Sequence, residues 1–449
     1  MLIASISNFK ISLNSHVWFP LLAIILRLIP STADFSYLIL AGYALLGRQQ
    51  IIEALLLSWL FSMISPKIIP FAEYESFFRY IIILACFFSI LLRANFKKVH
   101  KLTFVTFGLG IFLILHAVFF SQVPIISFLK ALNWIFVIVI LLLAWQGMDS
   151  LEYEDTKKWT KRFLLIILLL SIPTLLIPKI GFSVNSRYFS GILNHPQAFG
   201  MTATILGAIF IGQLSAQNRP TLLPVIITII CISLTIISGS RTAGLALLLA
   251  VIISSLLFPI LTIRKIKSLF NFKKNKFLII IIFLLLIIIL SPFIFDLISI
   301  FMTKTNQSTV DNIMDAFIKS REVLYIPMID NILESPLRGI GFGLASDLTN
   351  MDIKYFRSIP VSAPIEKGVL PLAILEEVGV FGFIFIIIWI LLLVRYSIAN
   401  GFSDTIVLLT ILLFNLGEAG LFSPNGYGML YLVILALATT KPKLIKNTN

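Results

Sequence analysis

Apolar runs close to the ~20 residues needed to carry a helix across a bilayer recur along the whole 449-residue chain. That recurrence leaves one class of fold, an all-α polytopic membrane protein in which the bundle of helices is itself the domain. Composition agrees, since 12% of the residues are charged against about 25% in soluble domains. Residues 1–17 are polar and mixed, and no small-residue cleavage site follows a short apolar core. The first spans are therefore expected to direct insertion. The net charge of +14 would suit a nucleic-acid binder, but the lysines and arginines fall in short breaks between apolar runs, the pattern of topology determinants. Nucleic acid is excluded as a partner on that ground. The two cysteines, Cys86 and Cys231, sit inside apolar runs as small core residues and offer neither a disulfide framework nor a thiolate metal site.

Fourteen spans are expected, near 18–30, 35–47, 51–66, 78–94, 103–120, 126–147, 163–178, 197–213, 221–238, 242–261, 277–300, 369–394, 403–420 and 428–440, with twelve as the lower count. Pro30 and Asp34 interrupt the first pair, which suits a re-entrant or tilted hairpin. With the N-terminus in the cytoplasm and strict alternation, 21 of the 35 Lys and Arg residues fall on the cytoplasmic side, including every cluster: Arg93/Lys97/Lys98/Lys101, Lys157/Lys158/Lys161/Arg162, the run 264–276 and the tail Lys441/Lys443/Lys446. Both termini are accordingly assigned to the cytoplasm. The same assignment sends outward the 179–196 segment, the turn at 238–241 and the long loop 301–368. In that loop, apolar residues at helical spacing around DNIMDAFIKSREVLYIPMIDNIL predict an amphipathic helix over the bundle, ended or kinked at Pro327.

The external side also collects the residues able to carry chemistry. Arg187 in NSRYFSGILNHPQAFG, Arg241 in SGSRT and Arg321 on the loop helix place guanidinium groups at the depth where a lipid-linked diphosphate sits, and arginine pairs bidentately with phosphate at any relevant pH. Equally, each suits a snorkelling helix anchor. Arg338, in SPLRGIGFGLASD, lies beside glycines 339, 341 and 343, a segment that reads as a flexible hinge. His195 is the one external histidine near a candidate arginine, and suits either a general base or a helix cap. Glu376 and Glu377 lie about two turns into the twelfth span, where carboxylates face a cavity or a partner. One of them is expected to pair with an external arginine. No metal-ligating spacing stands out, and no cofactor is expected.

The order RYFSGILNHPQAFG, SGSRTAGLALLLA, KSREVLY, ESPLRGIGFG and LEEVGVFGF over residues 180–395 resembles the O-antigen ligase / O-antigen polymerase superfamily of bacterial membrane glycosyltransferases. The resemblance implies a GT-C-like helical bundle in the bacterial inner (plasma) membrane, with a lateral cavity open to the outer leaflet. It divides the chain into N-terminal membrane helices (1–178), a ligase-like core (179–395) and C-terminal helices with a basic tail (396–449). It also implies an activity: transfer or polymerisation of a glycan from an undecaprenyl-diphosphate carrier to an acceptor hydroxyl on a glycan or lipid, alongside polysaccharide assembly proteins. Carried over, Arg187 and Arg241 bind the diphosphate with Arg321 and Arg338 assisting, and Glu377 holds or activates the acceptor. The family's ligases place a His about nine residues before that Glu; here the position is Gly368, flanked by Lys367. His195 or Glu366 then takes the role of base, or none is needed. A membrane transporter or flippase, and a non-catalytic component of a polysaccharide assembly complex, are the other classes compatible with such a chain.

Overall fold

The structure, a computed structural model, describes residues 18–69, 72, 74–93, 99–182, 188–216, 221–262, 322–349, 351–356, 359–363 and 367–441. The expected span 277–300, the basic run 264–276 and three candidate site residues, Arg187, Arg321 and Glu366, lie outside the described residues.

A helix stands on every other expected span. In chain order these are α1 (Trp18–Leu28), α2 (Phe35–Ala44), α3 (Arg48–Met63), α4 (Glu75–Arg93), α5 (Lys101–Phe120), α6 (Pro124–Gly147), α7 (Ser150–Ser171), the single turn α8 (Pro178–Gly181), α9 (Pro196–Ala216), α10 (Leu222–Ile237) and α11 (Arg241–Thr262). After the long loop's α12 (Glu322–Glu334) come α13 (Leu370–Asn400), α14 (Phe402–Phe414) and α15 (Gly428–Thr439). Six helices among the described residues are long and apolar enough to cross a membrane: α4, α5, α6, α7 with its 3-10 extension to Leu176, α9 and α13.

Several expected spans are shorter than the sequence suggests, each for a local reason. At Pro30–Thr32 a 3-10 turn separates α1 from α2, which then pack on each other. At about 1.5 Å per residue, neither reaches across ~30 Å of hydrocarbon. The span expected over 403–420 stops at Phe414, because the Asn415 side chain accepts hydrogen bonds from the N–H groups of Gly420 and Leu421, both at 2.9 Å, and turns the chain. Conversely, α7 starts at Ser150 rather than near 163, its first N–H groups capped by Asp149, which accepts from Leu151 N and Glu152 N. Pro327 does not end the loop helix, which runs on to Glu334. The segment between α12 and α13 also departs from an all-α chain through a small antiparallel hairpin, β1 (Lys354–Phe356) with β2 (Ile359–Ser362).

Helix α15 is buried along its entire length, as expected of a helix apolar on all sides. It packs among α3, α6, α13 and α14 as the centre of the bundle. One continuous core runs from Ala23 to Ala438. On the outer helices Phe88, Leu92, Phe104, Phe107, Phe385 and Leu391 stay exposed, the faces that lipid would cover. Basic residues gather at one end. Arg48 donates to the Arg93 carbonyl, Arg93 to the carbonyls of Leu45 and Leu46, Lys441 to the Ala399 carbonyl, and Gln49 N to Glu152 at the start of α7.

Candidate functional site: a polar cavity at the opposite end

The site starts with a break in a helix. Within α13, Gly379 adopts φ 64°, ψ −172°, a backbone region essentially closed to other residues. Breaking a helix releases carbonyls before the break and N–H groups after it, and inside an apolar bundle each must find a partner. The strap 336–343 supplies them. Ile340 N donates to the Glu376 carbonyl (2.8 Å), Gly341 N to the Glu377 carbonyl (2.9 Å), and Val380 N to the Pro336 carbonyl (2.9 Å). So close an approach requires glycine: a Cβ on Gly339 would stand 2.5 Å from the Glu376 carbonyl oxygen. The expected hinge is instead a backbone-paired cradle.

The two carboxylates at the break share one cation, and it is a lysine rather than the expected arginine. Lys367 Nζ lies 2.6 Å from Glu376 and 3.0 Å from Glu377. Glu376 is fully buried and also accepts from Asn331 of α12 at 2.7 Å, which ties the loop helix to the break. Glu377 turns the other way, accepts from Gly343 N at 2.6 Å, and faces a cavity of about 690 Å³.

That cavity is walled by Lys130, His195, Lys367, Glu377, Glu418 and Tyr427, among others. Lys130 donates to the carbonyls of Gly343 (2.6 Å) and Ala363 (2.8 Å). Gln197 donates to Glu418 at 2.9 Å. His195 acts as a cap on α9, its Nδ1 accepting from Gln197 N at 3.2 Å; this fixes the tautomer with the proton on Nε2, so the ring presents a donor. The structure thus brings together two of the expected site residues, His195 and Glu377. It does not bring Arg241 or Arg338 to the lining. Arg241 is half-buried as the first residue of α11, next to Thr242, which packs on Gly417 of the turn carrying Glu418. Arg338 is exposed, with its guanidinium over the Phe120 ring at 5.2 Å, and its carbonyl accepts from His116 Nε2 at 2.6 Å.

Lys130, Lys367 and Glu418 were not among the expected site residues. Lys130 carried a signal, an isolated charge in the apolar run PIISFLKALNW. Lys367 sits in a break between spans, where charge is ordinary, whereas Glu418, inside the expected span 403–420, carried the same signal as Lys130. The wall around Glu418 depends on Asn415, fully buried, whose oxygen holds two N–H groups and whose amide donates to the Ile411 carbonyl at 2.8 Å. Asn415→Ala is expected to cost about 1–3 kcal/mol, the penalty for stranding buried backbone donors, measured by unfolding in detergent micelles. An unchanged unfolding curve would mean that this turn does not rest on Asn415. No protein-family model matches the chain, and no curated protein matches it.

Proposed function

We propose that the protein transfers or polymerises a glycan from an undecaprenyl-diphosphate carrier to an acceptor hydroxyl at the external face of the bacterial inner membrane. The observation that carries this reading is the cavity itself: two ammonium groups, two carboxylates, a histidine and amide side chains, at the end of the bundle away from the basic clusters. Such a wall suits both halves of the reaction. Carboxylates and amides hold sugar hydroxyls, and cations stabilise the charge that develops on a departing diphosphate. The acceptor oxygen attacks the anomeric carbon, the bond from that carbon to the diphosphate oxygen breaks, and the hydroxyl proton passes to a carboxylate. Attack opposite the leaving group inverts the anomeric centre. Glu377 and Glu418 are the candidates to take the proton, because His195 in its capping tautomer offers an N–H instead. Arg187 and Arg241 remain the candidates that the resemblance gives for binding the diphosphate.

A second reading, transport of the lipid-linked glycan, is favoured by the broken helix at Gly379 with ionisable residues at the break. The surface-glycan profile of a deletion strain, resolved on a gel and probed for carrier-bound sugar, separates the readings. Single-repeat glycans are expected for a polymerase, and full-length glycan stranded on the external side of the carrier for a ligase. Carrier-linked glycan trapped on the cytoplasmic side supports transport. An unchanged profile rules out the glycan reading for that polymer.

A further inference from the structure

The two lysines of the cavity are not electrostatically equivalent. Lys367 is matched by two carboxylates. Lys130 is not: among the described residues no carboxylate forms an ion pair with it, and its two hydrogen bonds go to neutral carbonyls, those of Gly343 and Ala363. Those bonds occupy two of its three N–H donors and leave it without a directly bonded anion inside a bundle where charge is costly; Glu377 acts on it only at longer range. Gly343 makes room for this arrangement, since a Cβ there would meet the Lys130 stem at 2.7 Å. A second observation points the same way. Helices α6, α9, α13 and α15 all begin at the cavity, and Ile126, Gln197, Leu370 and Gly428, each within the first three residues of its helix, line it. Each helix start contributes roughly half a positive charge, and N-termini are ready anion sites.

We propose that Lys130 forms an anion seat in this cavity, of the chemical class that takes a phosphate or diphosphate group. The seat lies between Gly343 of the strap and Ala363 just after β2, with Glu377 held beside it through the Gly343 peptide: Gly343 carbonyl to Lys130, Gly343 N–H to Glu377. A bound phosphate supplies the direct ion-pair partner that Lys130 lacks among the described residues, Glu377 acting on it only at longer range. The inference deepens the functional reading, on which it rests only for the cavity being a substrate site. Two sources share the chemistry: the diphosphate of a lipid carrier and the headgroup phosphate of an anionic phospholipid.

The test is binding of inorganic diphosphate to the purified full-length protein in a neutral detergent, followed by calorimetry and by the shift in melting temperature. Wild-type protein is expected to bind, and Lys130→Met to bind at least tenfold more weakly. Wild-type protein that does not bind, or K130M that binds equally well, overturns the seat. Should K130M fail to fold, Glu377→Gln serves instead: removing the neighbouring negative charge must tighten diphosphate binding several-fold, and unchanged or weaker binding overturns the proposal. Repeating the wild-type measurement in nanodiscs separates the sources. Diphosphate binding that persists in phosphatidylglycerol as in phosphatidylcholine assigns the seat to the carrier's diphosphate, and binding abolished only by phosphatidylglycerol assigns it to a lipid headgroup. Because these readouts need no transfer reaction, weakened diphosphate binding in K130M beside an unaltered glycan profile would keep the seat and remove the glycosyltransferase reading.

Discussion

Lys367→Met is expected to destabilise the protein by about 3–5 kcal/mol, the usual cost of removing one partner from a buried ion pair. The side chain of Lys367 is 3% exposed and that of Glu376 is 0% exposed, so the Glu376 carboxylate left behind cannot turn to water. Glu377, at 13% exposure, recovers part of its solvation through the cavity, which makes Glu376 the larger contributor. The loss extends beyond the pair, because Glu376 also holds Asn331 of α12, and the loop helix loosens with it. Unfolding in detergent micelles measures the effect, and neutralising the orphaned carboxylates identifies its cause. If buried charge is responsible, adding Glu376→Gln and Glu377→Gln to K367M restores much of the lost stability. If the triple variant is less stable than K367M, the lysine acts through packing rather than charge, and the electrostatic account fails.

An effect of similar size is expected at Gly379, where Gly379→Ala should detach the strap from the broken helix. Two costs combine. The backbone at φ 64°, ψ −172° carries on the order of 1–3 kcal/mol of strain for a residue with a Cβ. That Cβ would also stand 2.3 Å from the carbonyl carbon and oxygen of Leu337, backbone atoms that move only with the strap. Moving the strap breaks the three backbone hydrogen bonds that satisfy the helix break and withdraws Gly343 from Lys130 and Glu377. Limited proteolysis reports the outcome directly: cleavage within 335–349 should become rapid in G379A. Gly108→Ala provides the control, since a Cβ at this helical position meets nothing within 4 Å and alanine is the better helix former by about 1 kcal/mol. Equal protease resistance in G379A and wild type would show that the strap does not depend on the break.

The chain's own pattern was enough to place a helix on nearly every span, and for a physical reason. Membrane helices satisfy their backbone internally, so length and apolarity are local properties. The one-sided gathering of Arg48, Arg93, Lys157, Lys158, Lys161 and Lys441 was legible for the same reason, because charge in short loops marks an end of a bundle without reference to packing. Helix ends were less legible where a side chain intervened: the Asn415 oxygen shortens α14, and the Asp149 cap extends α7. Of the candidate site residues, His195 and Glu377, which line one cavity, could be singled out because a carboxylate in a span and a histidine beside a helix start are conspicuous where they stand.

What only the tertiary structure decided was which charges meet. No periodicity reveals that Lys367 clasps both Glu376 and Glu377, that Lys130 from α6 reaches the carbonyls of Gly343 and Ala363 more than two hundred residues away, or that Arg338 turns onto Phe120. Nor does the GIGFG spacing distinguish a free hinge from a cradle; that depended on Gly379 breaking α13 and leaving unpaired backbone groups for the strap to take. Spans follow from each segment's own balance of apolar surface and backbone pairing. The site follows from long-range pairing of buried charge, which depends on neighbours that no local stretch of sequence contains.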